Sequence, residues 1–110
     1  MGNKENKMTN ASTEAAEGLQ ERLIVLGDVK TKKMFGGYGV FESGTMFALV
    51  DSQGGIFFKA DDTNRDRFEK AGSKKHSKMP YFQVPNNVLE NDRDLQEWAQ
   101  TSVLISKKAK

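Results

Sequence analysis

The segment YGVFESGTMFALVDSQGGIFFKA, residues 38–60, decides the fold of this chain. It contains three short runs, YGVFE, TMFALVD and GIFFKA, which are rich in aromatic and β-branched residues. The pair Ser43-Gly44 and the stretch 52–55 separate these runs, and spacers of this kind are typical of hairpin turns. Because such connections are too short for crossovers, we expect the strands to form an antiparallel meander.

The middle run, residues 45–50, is apolar at nearly every position. Simple alternation would place Met46, Ala48 and Val50 on one face of the sheet, and Phe47 and Leu49 on the other. Because both faces would then be apolar, we expect this strand to be central.

Helical patterns lie on either side of the strand region. Residues 13–26 are predicted to be helical from apolar positions three and four residues apart: Ala16, Leu19, Leu23 and Leu26. Residues 61–72 predict a short helix, with Asp61 or Asp62 as its cap, Phe68 as its anchor to the sheet and Gly72 as its end.

The C-terminal part predicts one more strand and one more helix. Residues 79–85, MPYFQVP, suit an edge strand because its prolines cannot donate to a ladder. Asn91 is the expected cap of a final helix whose apolar stripe contains Leu95, Trp98, Ala99, Ser102 and Ile105. The order α-β-β-β-β-α-β-α predicts an α+β fold, with flanking helices layered against an antiparallel sheet. We expect residues 1–12 to be a disordered tail and residues 13–110 to be a single domain.

Composition restricts the function. The chain has no cysteine, which excludes disulfides, thiolate nucleophiles and cysteine-ligated metal sites. Seventeen basic and fifteen acidic residues leave a net charge of only +2, which argues neither for nor against a nucleic-acid binder. No apolar run reaches the length of a membrane span. We therefore expect a cytoplasmic protein that does not bind membranes.

The glycine-rich stretch KKMFGGYGVF, residues 32–41, invites comparison with phosphate-binding loops. In a dinucleotide fingerprint the glycines follow a strand and open a helix, whereas Gly36, Gly37 and Gly39 precede a strand. A bulge or a tight turn, where side chains would clash, is the favoured interpretation, and a phosphate cradle is the alternative.

No catalytic set emerges from the remaining residues. His76 is the only histidine and lies between Ser and Lys residues, so we expect it to be a solvated loop residue. No serine lies in a G-x-S-x-G context. We expect no catalytic residues, no cofactor, no metal and no enzymatic activity. An enzyme with an unrecognised site is the rival hypothesis, and a deep pocket with convergent polar groups would favour it.

Any two of three basic segments could contact phosphates if they converged in space. The first two contribute the candidate nucleic-acid or partner contacts Lys32, Lys33, Lys74, Lys75 and Lys78. Lys107, Lys108 and Lys110 form a third basic group. Solvated surface lysines are the favoured interpretation, and direct nucleic-acid binding is the alternative.

Several motifs together resemble the N-terminal domain of the TfoX/Sxy family, the bacterial competence regulators or DNA transformation proteins. They are KKMFGGYGVFESGTMFALV, FFKADDTNRDRFEKAG, MPYFQVP and LQEWAQ, and they span about residues 14–107. The signature positions, taken as structural, are Met34, Phe35, Gly36, Gly37, Tyr38, Gly39, Met46, Phe47, Arg65, Phe68, Pro80 and Tyr81.

The resemblance implies a two-layer α+β domain similar to type III secretion chaperones, without a recognised catalytic residue. It also implies a regulator of transcription or competence that acts through protein partners, such as the cyclic-AMP receptor protein. Full-length regulators of the family carry a second, helical C-terminal domain, which we do not expect in this chain. The proline-marked edge strand suggests that a partner could bind by adding a strand to the sheet.

Overall fold

A computed structural model describes residues 3–34 and 36–108, with backbone only for residues 3–10. The elements in chain order are α1 (Asn3–Leu23), a 3-10 turn (Ile24–Leu26), β1 (Val29–Met34), β2 (Gly37–Glu42), β3 (Thr45–Val50), β4 (Ile56–Lys59), α2 (Arg65–Lys70), β5 (Tyr81–Gln83), α3 (Asn86–Leu89) and α4 (Asp92–Lys108).

The five strands form one antiparallel sheet in the order β1-β2-β3-β4-β5, so that β3 is the central strand. Helix α1 packs mainly over β1 and β2, and α4 packs mainly over β3 and β4. The predicted α+β class, the antiparallel meander and the order of the main elements are confirmed. The 3-10 turn and the short helix α3 are additions to the predicted order.

Helix α1 begins earlier than the sequence pattern predicts. Its backbone is helical from Asn3, whereas the apolar spacing indicated a start at residue 13. Residues 3–10 are polar except for Met8, so they form helical turns that the apolar spacing does not predict. Residues 1 and 2 lie outside the described residues. The division of the chain into a tail and one domain stays a prediction.

A β-bulge in β3 changes which side chains share a face. Val40 pairs with Ala48, but the next residue of β2, Phe41, pairs with Met46, so Phe47 is an extra residue in β3. Phe47 and Ala48 therefore both join the core beneath the helices, while Met46 lies on the opposite face. The predicted strict alternation is wrong at Met46 and Phe47 for this reason.

The caps of two helices show how local polar contacts fix the helix ends. The Asn91 side-chain oxygen accepts a hydrogen bond from the Asp94 N–H at 3.0 Å, which confirms the predicted cap of α4. Neither Asp61 nor Asp62 caps α2 directly. Instead, Asp61 accepts from the Thr63 N–H at 2.7 Å in a turn that precedes the helix, and α2 begins at Arg65.

Trp98 of α4 packs against α2. Its ring meets the ring of fully buried Phe68 edge to face, at a centroid distance of 5.0 Å, and the Arg67 guanidinium lies 5.0 Å from its centroid. The side chain is half-buried and also packs against the core between the helices and the sheet.

Replacement of Trp98 by alanine should lower the free energy of unfolding by about 2–3 kcal/mol. This is below the ~3–5 kcal/mol typical of a fully buried Trp or Phe, because part of the ring already contacts solvent. Phe68→Ala, the matched control, should cost the full amount. Denaturant melts followed by circular dichroism would test whether Phe68→Ala loses more stability than Trp98→Ala. A Trp98→Ala loss below about 1 kcal/mol would contradict the described docking of α2 on α4.

Candidate functional site on the outer face of the sheet

The face of the sheet that the helices do not cover is here called the outer face. Its centre is a small apolar cluster of buried side chains from three strands: Leu49 of β3, Phe57 of β4 and Tyr81 of β5, with Met46 packed beside them. Burial raises the pKa of the Tyr81 phenol, so this side chain is neutral at all physiological pH values. The outer face is therefore apolar at its centre, although no helix lies over it.

A pocket of about 230 Å³ opens on this face, here called the outer-face pocket. Its wall contains Met34, Tyr38, Met46, Leu49, Val50, Asp51, His76 and Met79. Met34 and Met79 are each about 40% exposed, and both line the same pocket. Three flexible thioether side chains thus form much of a solvent-facing apolar surface.

Each of the three glycines at positions 36, 37 and 39 occupies a site where a side chain would be unfavourable. Gly36 has φ +65° in the turn between β1 and β2, a conformation that L-residues rarely adopt. A Cβ on Gly37 would overlap the carbonyl oxygen of Val50. A Cβ on Gly39 would lie 2.5 Å from the Met34 Sδ and 3.0 Å from the Met46 Sδ. These positions support the structural interpretation of the glycines over the phosphate cradle.

Alanine at Gly37 should destabilise the fold more than alanine at Gly36. The Gly36 site has room for a Cβ, so the cost there is the left-handed conformation alone, about 1 kcal/mol. At Gly37 the obstacle is backbone, which cannot move without opening the β2–β3 ladder, and we expect at least about 2 kcal/mol. Thermal and urea melts of both variants measure this order. Equal costs, or a parent stabilised by nucleotides and variants that are not, would contradict the steric account.

Residues 74–79 fold back along β5 and form one wall of the pocket. The Gln83 N–H donates to the Lys74 carbonyl at 2.9 Å, and the His76 N–H donates to the Tyr81 carbonyl at 2.8 Å. These bonds occupy the outer edge of β5. The proposed addition of a partner strand to this proline-marked edge is therefore disfavoured, because the backbone groups it needs are already paired.

His76 is part of this wall and is not a solvated loop residue, contrary to the prediction. Its ring is half-buried and meets the Phe57 ring edge to face at a centroid distance of 4.8 Å. The backbone pairing of the loop with β5 holds it there, an effect that a polar local sequence does not reveal.

The candidate lysines do not form one cluster. In β1, Lys32 pairs with Gly39 and lies on the outer face, whereas Lys33 pairs with Tyr38 and lies on the helix face. Lys74, Lys75 and Lys78 are exposed beyond β5. Since β1 and β5 are four interstrand spacings apart, about 19 Å, Lys32 and the three lysines beyond β5 stand on opposite rims of the outer face.

Two lysines of the third basic group form ion pairs, and Lys110 lies outside the described residues. The Lys107 Nζ lies 2.6 Å from the Glu42 Oε1, and the Lys108 Nζ lies 3.8 Å from the Asp61 Oδ2. Glu42 is a nearly buried residue of β2 that also accepts hydrogen bonds from the Ser43 hydroxyl and the Asp28 N–H. The Lys107 ammonium, the Ser43 hydroxyl and the Asp28 N–H together lower the pKa of Glu42, against the opposing effect of burial. Glu42 thus ties the end of α4 to the sheet.

Glu42→Gln should destabilise the domain at pH 7 by about 1–2 kcal/mol, since it removes a charge-assisted contact from a nearly buried site. The carboxyl has a lower pKa folded than its ordinary 4.5, so its contribution is complete above that value and is lost as the pH falls through the folded pKa. Urea melts from pH 7 to pH 3 should show the parent and the variant converging in acid. Exposed Glu69→Gln is the control, with little expected effect. A gap that stays constant with pH would contradict the role of the Glu42 charge.

The carboxylate in the pocket wall, Asp51, is engaged in local hydrogen bonds. The Asp51 Oδ1 accepts hydrogen bonds from the N–H groups of Gln53 and Gly55, at 3.0 and 2.7 Å, and so stabilises the β3–β4 turn.

Among residues 3–34 and 36–108, no three His, Cys, Asp or Glu side chains converge as a metal site. Over the same part of the chain, no helix has the length and apolarity needed to span a bilayer.

A family model described as the TfoX N-terminal domain matches residues 21–105, most of the chain. This chain belongs to the TfoX N-terminal domain family. The match runs from the end of α1 to the last turns of α4, so it includes the whole sheet and the outer-face pocket. No curated protein sequence matches the chain significantly.

The signature residues of the resemblance fall into two structural groups. One group lies at the pocket: Met34, Tyr38 and Met46 line it, and Gly39 lies next to the sulfur atoms of the two methionines. Gly36 and Gly37 lie in the turn before β2 and at its first residue. The other belongs to the core or to its support. Phe68 stacks on Phe82 at 5.5 Å, and the Arg65 Nη1 lies 2.8 Å from the Asp62 Oδ1. Pro80 is exposed next to buried Tyr81. Phe35 lies outside the described residues.

The sequence interpretation missed the pocket itself. Met79, His76 and Leu49 come together only through the fold of the 74–79 loop and the bulge in β3. One available signal was the recurrence of methionine next to glycine-rich or polar stretches at 34, 46 and 79, where a purely buried core would favour branched aliphatic residues.

Proposed function

We propose that this TfoX N-terminal domain is a non-enzymatic, cytoplasmic interaction module that regulates transcription, in competence or a related response, by binding a protein partner. The observation that carries the proposal is the outer-face pocket, an apolar surface exposed where a two-layer domain would otherwise be polar. Exposed apolar patches on a small domain are most often sites of association.

The polar groups of the pocket favour binding over catalysis. Asp51 is committed to the N–H groups of a turn, and the imidazole of His76 packs against Phe57. A catalytic site needs an acid, base or nucleophile held within hydrogen-bonding reach of a reacting atom. The pocket instead offers thioether and aliphatic groups, which contribute contact area.

The partner class is taken from the family resemblance, which suggests transcription machinery such as the cyclic-AMP receptor protein. Contact through the outer face is favoured over contact through a sheet edge. The β5 edge is paired with residues 74–76, and β1 carries lysines at positions 30, 32 and 33, a residue type that natural edge strands use to discourage strand addition.

The direct experiment is affinity capture by the full chain from native lysate at physiological salt, with identification of the proteins recovered. We expect a transcription-associated protein that is recovered by the parent and reconstitutes a complex when purified. Recovery of no such protein, or a protein that fails to bind when purified, would contradict the proposal. The purified complex should also show no turnover of nucleotides or other small molecules.

Direct nucleic-acid binding is the second candidate, and the exposed lysines on both rims of the outer face favour it. It predicts an affinity that falls with salt by a log–log slope near −0.9 for each phosphate neutralised. Lys32→Glu with Lys75→Glu should abolish such binding, whereas Lys70→Glu, on α2, should not. Absence of binding at low salt would remove this candidate.

A further inference from the structure

We infer that the outer-face pocket is part of a docking groove for an acidic amphipathic helix of a protein partner. The inference rests on the proposed function and specifies the chemistry of its partner. It combines three properties of the outer face: an adaptable apolar floor, room for a helix, and basic rims.

Methionine supplies three of the eight residues that line the floor and walls of the groove. Met34, Met46 and Met79 line it together with Leu49, and two of the thioethers converge over Gly39, which has no side chain of its own. Methionine is unbranched and polarizable, so it adapts to apolar side chains of different shape. Because Gly39 has no Cβ, these two sulfur atoms lie close to the sheet.

The outer face has room for a helix. Strands β1 and β5 stand about 19 Å apart, and a helix with its side chains is about 10–12 Å across, so a helix can lie between the two lysine-bearing rims. Along the strands, the six residues of β3 extend about 20 Å, the length of about 13 helical residues. Apolar side chains at helical positions i, i+3, i+4 and i+7 would then meet the methionines.

The charges on the rims favour an acidic helix. Lys32 lies on one rim, and Lys74, Lys75 and Lys78 lie on the other, all exposed. The one carboxylate in the pocket wall, Asp51, is engaged by the N–H groups of its turn. Acidic residues on either side of the apolar stripe of a bound helix would face these lysines and speed association.

The same charges disfavour a second copy of this chain as the occupant. Face-to-face pairing of two outer faces would bring the lysine rims together, and like charges in contact are destabilising. A strand as occupant is disfavoured because the backbone of the outer edge of β5 is already paired. A helix needs no backbone bonds from the sheet and uses only the side chains present.

The test is selection of random 16-residue peptides, displayed on phage, against the immobilised full chain. We expect the enriched peptides to carry apolar residues at helical spacing, a net negative charge and a helical circular-dichroism spectrum when bound. Enrichment of basic or uncharged sequences, of peptides without helical spacing, or of no peptides at all would overturn the inference.

Paired variants then locate the site. Met34→Gln with Met79→Gln removes apolar contact at two exposed positions, and the matched control is Val25→Gln, which is 69% exposed on the helix layer. Lys32→Glu with Lys75→Glu removes rim charge, and the matched control is Lys70→Glu with Arg93→Glu, both exposed on helices. We expect each groove variant to weaken synthetic peptides at least tenfold by fluorescence anisotropy, and each control less than twofold.

Equal affinity of the parent and the groove variants would overturn the inference, because the peptide would then bind elsewhere. The emission of Trp98, on the helix layer, reports whether each variant is folded. The proposed function is judged separately by capture of the native partner. If the parent and Met34→Gln with Met79→Gln recover that partner equally, the function stands and the docking groove is wrong.

Discussion

The structure depends on the β-bulge at Phe47. By inserting one residue into the central strand, the bulge turns both Phe47 and Ala48 toward the helices and leaves Met46 on the outer face. The core beneath α1 and α4 then contains the large aromatic side chain at its centre. The outer face keeps a flexible thioether in its place, so one local irregularity gives the two faces of the sheet different chemistry.

Close backbone approach and one nearly buried ion pair stabilise this arrangement. Gly37 lets β2 approach the end of β3, and Gly39 makes space for the methionine side chains above the sheet. On the helix face, Glu42 is held by Lys107 of α4 and by the start of β1. The glycine-rich stretch is therefore a structural feature that shapes a surface, and its contribution to function is indirect.

The fold could be predicted well because its signals lie in short stretches of sequence. Turn residues separated the strands, helical spacing marked α1 and α4, and Asn91 marked the start of α4. The site was not predictable in the same way. The register shift at Phe47, the pairing of residues 74–76 with β5 and the partial burial of His76 all depend on contacts between distant segments, which local composition does not encode.

The central claim is that the outer face is an open, methionine-lined surface while the opposite face is the covered core. Methyl-resolved NMR of the full chain with a soluble paramagnetic agent tests it most directly. The account predicts strong signal loss for the Met34 and Met79 methyl groups and almost none for Leu19 and Leu95, which are buried under the helices. Methionine methyl signals as well protected as those of Leu95 would contradict the account.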